Sequence, residues 1–264
     1  MAIAQLAFSC VFLMMRVPLR VPFASLWRLW LAGIFLQGLP FLLLFWGERQ
    51  IAPALACIIN SSVGAWALLF SLIVFKDRTQ LSATKVLGLF FGLFGVLILC
   101  WPDLLHSQDH NQLWGILAVT GMAMSYAFGG LLNQYLNQGC HKVPFKTSVW
   151  QQHWGSLIFL FLIALMHPAM LLDCTGFASV KLWIALLYLG IFSTAIAWLI
   201  YIHLINHWGT VRASSVLFLT PILALIWDRV FLGLHPTLFE LGGVIVILVG
   251  MGFMRLQTQA CRKR

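Results

Sequence analysis

Apolar runs separated by short polar joints make up almost the whole chain. Nine runs are readable, near residues 1–15, 26–47, 52–75, 86–101, 113–132, 148–166, 182–205, 211–232 and 238–254. A helix needs about 20 largely apolar residues to cross a bilayer, so the pattern predicts an all-α, polytopic membrane protein with about nine transmembrane helices. The joints include Glu48-Arg49-Gln50, Lys76-Asp77-Arg78, His141-Lys142 and the stretch from Asp103 to Gln112. The first run carries no charged side chain, and Arg16 and Arg20 follow it. A signal peptide has its positive charge ahead of the apolar run, so this run is expected to be a retained helix passing from outside to inside.

Composition agrees. Of 264 residues 61% are hydrophobic and 9% charged, and mean hydropathy is +0.94. Soluble domains carry about 25% charged residues, so a soluble enzyme or nucleic-acid-binding domain is excluded despite a net charge of +9. The charge is instead informative by position. With an outside N-terminus, only Arg49, Lys181 and Arg229 of the basic residues lie in outside joints. Asp77 is the one acidic residue on the inside. This bias predicts a multi-pass protein of a bacterial inner membrane with a cytoplasmic C-terminus. The six cysteines are scattered without CxxC spacing and read as small apolar fillers.

An internal repeat is visible. A shift of 157 lays residues 33–75 on 190–232 without a gap, bringing Gly33-Ile34-Phe35 onto Gly190-Ile191-Phe192 and Ala67-Leu68 onto Ala224-Leu225. Further on the shift becomes 155, and Gly88 and Gly95 fall on Gly243 and Gly250. The units, residues 1–102 and 113–255, are predicted to face opposite ways, as in secondary transporters built from inverted repeats. The first unit has four spans and the second five. The partner of the 113–132 span would lie ahead of Met1, so one helix of the first unit is expected to be absent.

Gly115, Ser125-Tyr126-Ala127, Gln151, Gly155, Gly190-Ile191-Phe192, Ala213, Pro221, Gly233, Gly243 and Gly250 together resemble the drug/metabolite transporter superfamily, in the branch of paired EamA-type domains. The first unit repeats the pattern from Gly33 onward. It departs at Gly64, where the family often has Pro. Leu234 stands where the family often has Glu, and Asp77 keeps the acid in the other copy. The resemblance implies a transporter that moves a small organic solute by alternating access through the lipid bilayer. No cofactor is expected.

Polar groups within spans are costly unless satisfied, which makes them functional candidates. Gln37, Trp66, Tyr126, Gln151 and Trp198 are the expected lining of a central cavity. Spans almost free of fixed charge favour a neutral, zwitterionic or amphipathic solute. For Gln37 and Gln151, bonding between helices is the other reading. Serines such as Ser61, Ser62, Ser214 and Ser215 are expected to bond to their own backbone. Pro221 is the candidate helix kink, since it lacks a donor in mid-span. Gly88, Gly92, Gly95, Gly243 and Gly250 form small faces for helix packing, within one chain or in a homodimer. Metal binding at His203/His207, or by the Asp103, His106, Asp109, His110 loop, lacks a full ligand set, so no metal is expected. Two rivals stay open: a membrane-embedded lipid-modifying enzyme using His106 and Asp109, and a non-transporting scaffold or truncated remnant.

His153 is the candidate for proton coupling, because imidazole titrates near neutrality. His153→Gln is then expected to abolish the pH dependence of uptake, measured over about pH 5–8. An unchanged pH profile would exclude the coupling role.

Overall fold

The computed structural model describes residues 2–14, 21–51, 53–74, 76, 82–99, 101, 112–138, 143–166, 180–227, 229–230, 233 and 237–261. Every regular element among them is helical, and nine rods fall on the nine predicted runs. They are α1 (Ala2–Met14), α2 (Phe23–Gly33, Ile34–Gly38 and Leu39–Gly47), α3 (Pro53–Ser61 and Val63–Ile73), α4 (Ala83–Leu99) and α5 (Gln112–Gln138). The others are α6 (Phe145–Met166), α7 (Val180–Tyr188, Leu189–Ile196 and Ala197–Trp208), α8 (Thr210–Ala213, Ser214–Phe218 and Leu219–Trp227) and α9 (Leu238–Cys261). Five helices are long and apolar enough to cross a membrane: Ser25–Gly47, Leu55–Ile73, Leu113–Leu136, Phe145–Met166 and Val180–Trp208. Ala83–Ile98, Thr210–Leu223 and Leu238–Phe253 are apolar but shorter.

Local sequence explains where the rods start and bend. α9 opens on a capping box, in which the Thr237 backbone N–H donates to Glu240 Oε2 (2.5 Å) and the Glu240 N–H to Thr237 Oγ1 (3.2 Å). The turn from α7 to α8 needs φ of 79° at Gly209, a conformation open to glycine without penalty. In α2 the π-helical stretch Ile34–Gly38 lies just ahead of the buried Pro40, which cannot donate to the carbonyl of Leu36. A second π-helical stretch, Leu189–Ile196, covers the positions that the 157-residue shift assigns to it. It has no proline after it. In α8 a 3-10 stretch, Ser214–Phe218, comes shortly before Pro221.

Contacts fix the relative directions of the rods. α1 and α6 are antiparallel, with Ser9 meeting Trp150 and Gln5 meeting Trp154. α2 runs against α5, with Gly47 on Val119 and the Phe35 carbonyl on Ser125. α5 and α7 are parallel, with Tyr126 on Trp198 and Asn133 on Asn206, so α2 also opposes α7. α4 and α9 cross antiparallel, with Gly95 on Gly243 and Gly250 on Gly88. Two of the pairs related by the sequence shift, α2/α7 and α4/α9, therefore point in opposite directions.

Two features stand out in the packing. The glycine faces of α4 and α9 meet each other within one chain, so they are not left free for a second copy. α7 is the most exposed of the five long spans, with Phe192, Ile196 and Ile200 all on its outer surface. The α2 positions that α5 covers, Phe35, Leu36 and Leu43, correspond by the shift to Phe192, Ser193 and Ile200, all exposed.

A Cβ at position 250 would stand 2.6 Å from the Gly92 nitrogen and 2.8 Å from the Gly88 carbonyl oxygen. Gly250→Val is therefore expected to cost about 1–3 kcal/mol, because backbone rather than a side-chain tip must move. Gly252 has nothing within 4 Å of its Cβ position, and Gly252→Val should stay within about 0.5 kcal/mol. Thermal unfolding of both variants in detergent checks the contrast.

Candidate functional site

Tyr126 sits where the three core clusters of the bundle meet, packing against each of them. Its ring makes edge contacts with Trp198 (5.8 Å between centroids) and Tyr201 (6.3 Å), while Trp198 and Tyr201 lie 5.6 Å apart. Phe41 of α2 approaches Trp198 at 6.5 Å. Residues 198 and 201 are three apart on α7, which puts both rings on one helix face. Trp198 and Tyr201 are buried, and neither the Trp198 Nε1–H nor the Tyr201 hydroxyl has a hydrogen-bond partner among the described residues.

A second polar group lies on the α2 and α6 sides of the same cluster. Gln37 is fully buried within the π-helical stretch of α2, and its Nε2 donates to His153 Nδ1 at 3.1 Å. With the amide as donor, the ring proton of His153 is on Nε2, which is buried without a partner, as is Gln37 Oε1. Phe8 stands edge-on to the imidazole at 4.7 Å and packs in the cluster that holds Trp198 and Tyr201.

Hydroxyls on neighbouring helices serve the carbonyls around the π-helical stretch. Ser156 Oγ donates to the Gly33 carbonyl (2.7 Å) and Ser125 Oγ to that of Phe35 (2.8 Å). A wide turn of this kind disturbs the regular backbone ladder, and such turns recur at functional sites.

Below this site, toward the Gln138 end of α5, an amide chain ties α5 to α8 together. Gln152 Nε2 donates to Asn133 Oδ1 (2.7 Å) and Ser148 Oγ (3.0 Å), and Asn133 Nδ2 donates to Asn206 Oδ1 (3.3 Å). Gln134 Oε1 accepts from the Thr210 backbone N–H (2.9 Å) and hydroxyl (3.0 Å), which caps α8 from another helix.

Of the expected lining residues, the structure brings Gln37, Tyr126 and Trp198 together. Trp66 packs in the core region around Val63 and Ala67 that Tyr126 also touches, with Phe70 as its ring neighbour (6.1 Å). Gln151 lies elsewhere. Its Oε1 accepts from Trp30 Nε1 (3.1 Å), and it lines a lateral cleft between α2 and α6. One residue on a helix is a 100° turn, so of the three buried residues Gln151-Gln152-His153 the first faces Trp30 and the cleft while the last two face the bundle interior. Tyr201 was not singled out from the sequence, although its spacing from Trp198 was the available signal. Ser61, Ser62, Ser214 and Ser215 donate to backbone carbonyls three or four residues back, as expected. Asp77, Asp103, His106, Asp109, His110 and Leu234 lie outside the described residues.

The sequence profile of the EamA-like transporter family matches residues 113–256. This chain belongs to the EamA-like transporter family. An uncharacterized transporter of Bacillus subtilis, YxxF, is 30% identical over 81% of this chain and 73% of its own length. A probable amino-acid metabolite efflux pump of Salmonella typhimurium is 26% identical, over 93% of this chain and 80% of that one. One solved crystal structure shares the fold with a TM-score of 0.77 at 19% identity, covering 97% of this chain and 85% of that protein. The chain is thus a multi-pass membrane transporter of the drug/metabolite superfamily.

Proposed function

We propose that this EamA-like transporter moves a small neutral or zwitterionic organic solute by alternating access, and that the solute binds at the Tyr126, Trp198, Tyr201 and Gln37 cluster. The observation that carries the reading is that four buried polar atoms without partners among the described residues, Trp198 Nε1, Tyr201 OH, Gln37 Oε1 and His153 Nε2, belong to side chains joined through Phe8, which packs with Trp198 and Tyr201 and stands against His153. A buried polar group left unpaired costs about 1–3 kcal/mol, which a bound solute with matching donors and acceptors would recover. Aromatic rings from α2, α5 and α7 suit an organic body, and among the described residues no carboxylate, Lys or Arg belongs to the cluster. The likeness to a probable amino-acid metabolite efflux pump supports the zwitterionic end of this range.

Alternating access is supported by the antiparallel repeat-related pairs and by the position of the cluster at the junction of α2, α5, α6 and α7, where the two halves touch. Trp66 and Pro221 belong to the moving surroundings in this reading. Pro221, with the 3-10 stretch before it, gives α8 a place to bend. The protein is assigned to the bacterial inner membrane with its C-terminus in the cytoplasm, on the distribution of Lys and Arg among the joints.

Transport in proteoliposomes, with a panel of labelled amino acids, nucleoside derivatives and cationic drugs, tests the reading. Saturable transport of a neutral or zwitterionic member is expected. Trp198→Phe and Tyr201→Phe should each lower it about five- to tenfold, the worth of one hydrogen bond. Thr194→Val, which removes a hydroxyl bonded only to its own helix at Leu189, should leave the rate unchanged. Transport confined to polyanions, or indifference to both aromatic variants, would overturn the assignment.

A further inference from the structure

The lateral cleft between α2 and α6 shares no lining residue with the solute cluster, although Trp150 also packs on the core that holds Trp198 and Tyr201. It measures about 740 Å³ and is lined by Val21, Leu26, Trp30, Trp150, Gln151, Trp154 and Ile158. That volume lies within the roughly 300–1,000 Å³ of ligand pockets. Leu26 and Trp30 are four apart on α2, and Trp150, Trp154 and Ile158 repeat every four residues on α6, so each helix supplies one continuous ridge. The two helices run parallel, since Trp30 meets Gln151 and Gly38 meets Phe159. The cleft therefore runs along both helices as a groove that follows the membrane normal.

Its hydrogen-bonding groups are used by the protein itself. Trp30 Nε1 donates to Gln151 Oε1 and Trp150 Nε1 to Ser9 Oγ, while the Gln5 amide oxygen, turned toward the indoles, takes Trp154 Nε1. What the three tryptophans present to the groove is ring carbon. A polar solute would lose water there without gaining partners, whereas an alkyl chain gives up nothing polar. One turn ahead of Trp150, on the same α6 ridge, stands Lys146, next to the first residue of the helix. This places a cation where a lipid headgroup would begin and an apolar groove where its chain would lie. The charge fits the anionic lipids that basic residues at membrane surfaces attract.

We propose that the α2–α6 groove seats one acyl chain of an anionic phospholipid from the leaflet at the N-terminal end of α6, with Lys146 at the level of its phosphate. This site is separate from the transported solute, and the proposal stands whether or not the assigned solute class is right.

The test uses the full-length protein in liposomes of phosphatidylcholine and phosphatidylglycerol, with a diazirine on the acyl chain of one lipid or the other. After irradiation, adducts are mapped by peptide mass spectrometry. Labelling by the phosphatidylglycerol probe is expected to be at least threefold higher on residues 21–30 and 150–158 than on the exposed face of α9 around Ile245 and Leu248. Lys146→Gln should remove that excess for phosphatidylglycerol and leave phosphatidylcholine labelling as it was. Ile158→Trp, which fills the groove, should likewise abolish the phosphatidylglycerol excess. Equal labelling of the groove and of α9 in the unmodified protein would overturn the proposal. So would a Lys146→Gln variant that keeps the phosphatidylglycerol excess, because the groove would then take any chain regardless of headgroup.

Discussion

Inside a bilayer there is no water for a peptide group to bond to, so the chain must satisfy its own N–H and C=O groups or fail to insert. The rest of this structure follows from that constraint. It makes every described element helical, and it explains why irregular backbone is attended by side-chain donors. The widened turn in α2 has Ser125 and Ser156 donating to the carbonyls of Phe35 and Gly33. The start of α8 has Gln134 reaching across from α5 to its first N–H. Among the described residues, buried polar atoms of Gln37, His153, Trp198 and Tyr201 stay unsatisfied around the Tyr126 cluster, as does Gln152 Oε1 in the amide network.

The same medium removes the hydrophobic drive between helices, so contact depends on close approach and on polar links. α4 and α9 meet backbone to backbone through glycines. α5 to α8 are tied by the amide chain through Gln152, Asn133, Asn206, Gln134 and Thr210. These two devices differ in what they allow. A glycine seam packs by shape and tolerates sliding, whereas the amide chain holds four helices as a body. The α2–α6 contact between the halves mixes both, with Gly33 against Gln152 and Gln37 bonded to His153.

Much of this was legible in the amino-acid order. Nine apolar runs became nine rods because span length is dictated by the membrane and not by tertiary detail. The paired glycines of α4 and α9 announced their contact, since only small residues permit it. Tyr126, Trp198 and Gln37 could be picked out because a polar or amphipathic side chain in a span is costly. The π-helical stretches could not be read. Pro40 hints at the first, but the second, Leu189–Ile196, carries no breaker that composition would flag. The facing of Gln151 was equally hidden, because three consecutive polar residues give no phase to a helix whose apolar residues surround it on all sides. The amides Asn133, Gln134 and Asn206 lie near helix ends, where polar residues are usually taken for solvated joints.

The central claim is that two like units stand in opposite directions in one bilayer and enclose the Tyr126 cluster between them. It is tested most directly by placing an accessibility tag after Phe75 in one copy of the protein and after Leu232 in another, positions related by the 157-residue shift, and labelling intact cells with an impermeant reagent. The account predicts labelling at the second position and protection at the first until the membrane is opened. Both tags on the same face would contradict the inverted architecture, and the alternating-access reading would go with it.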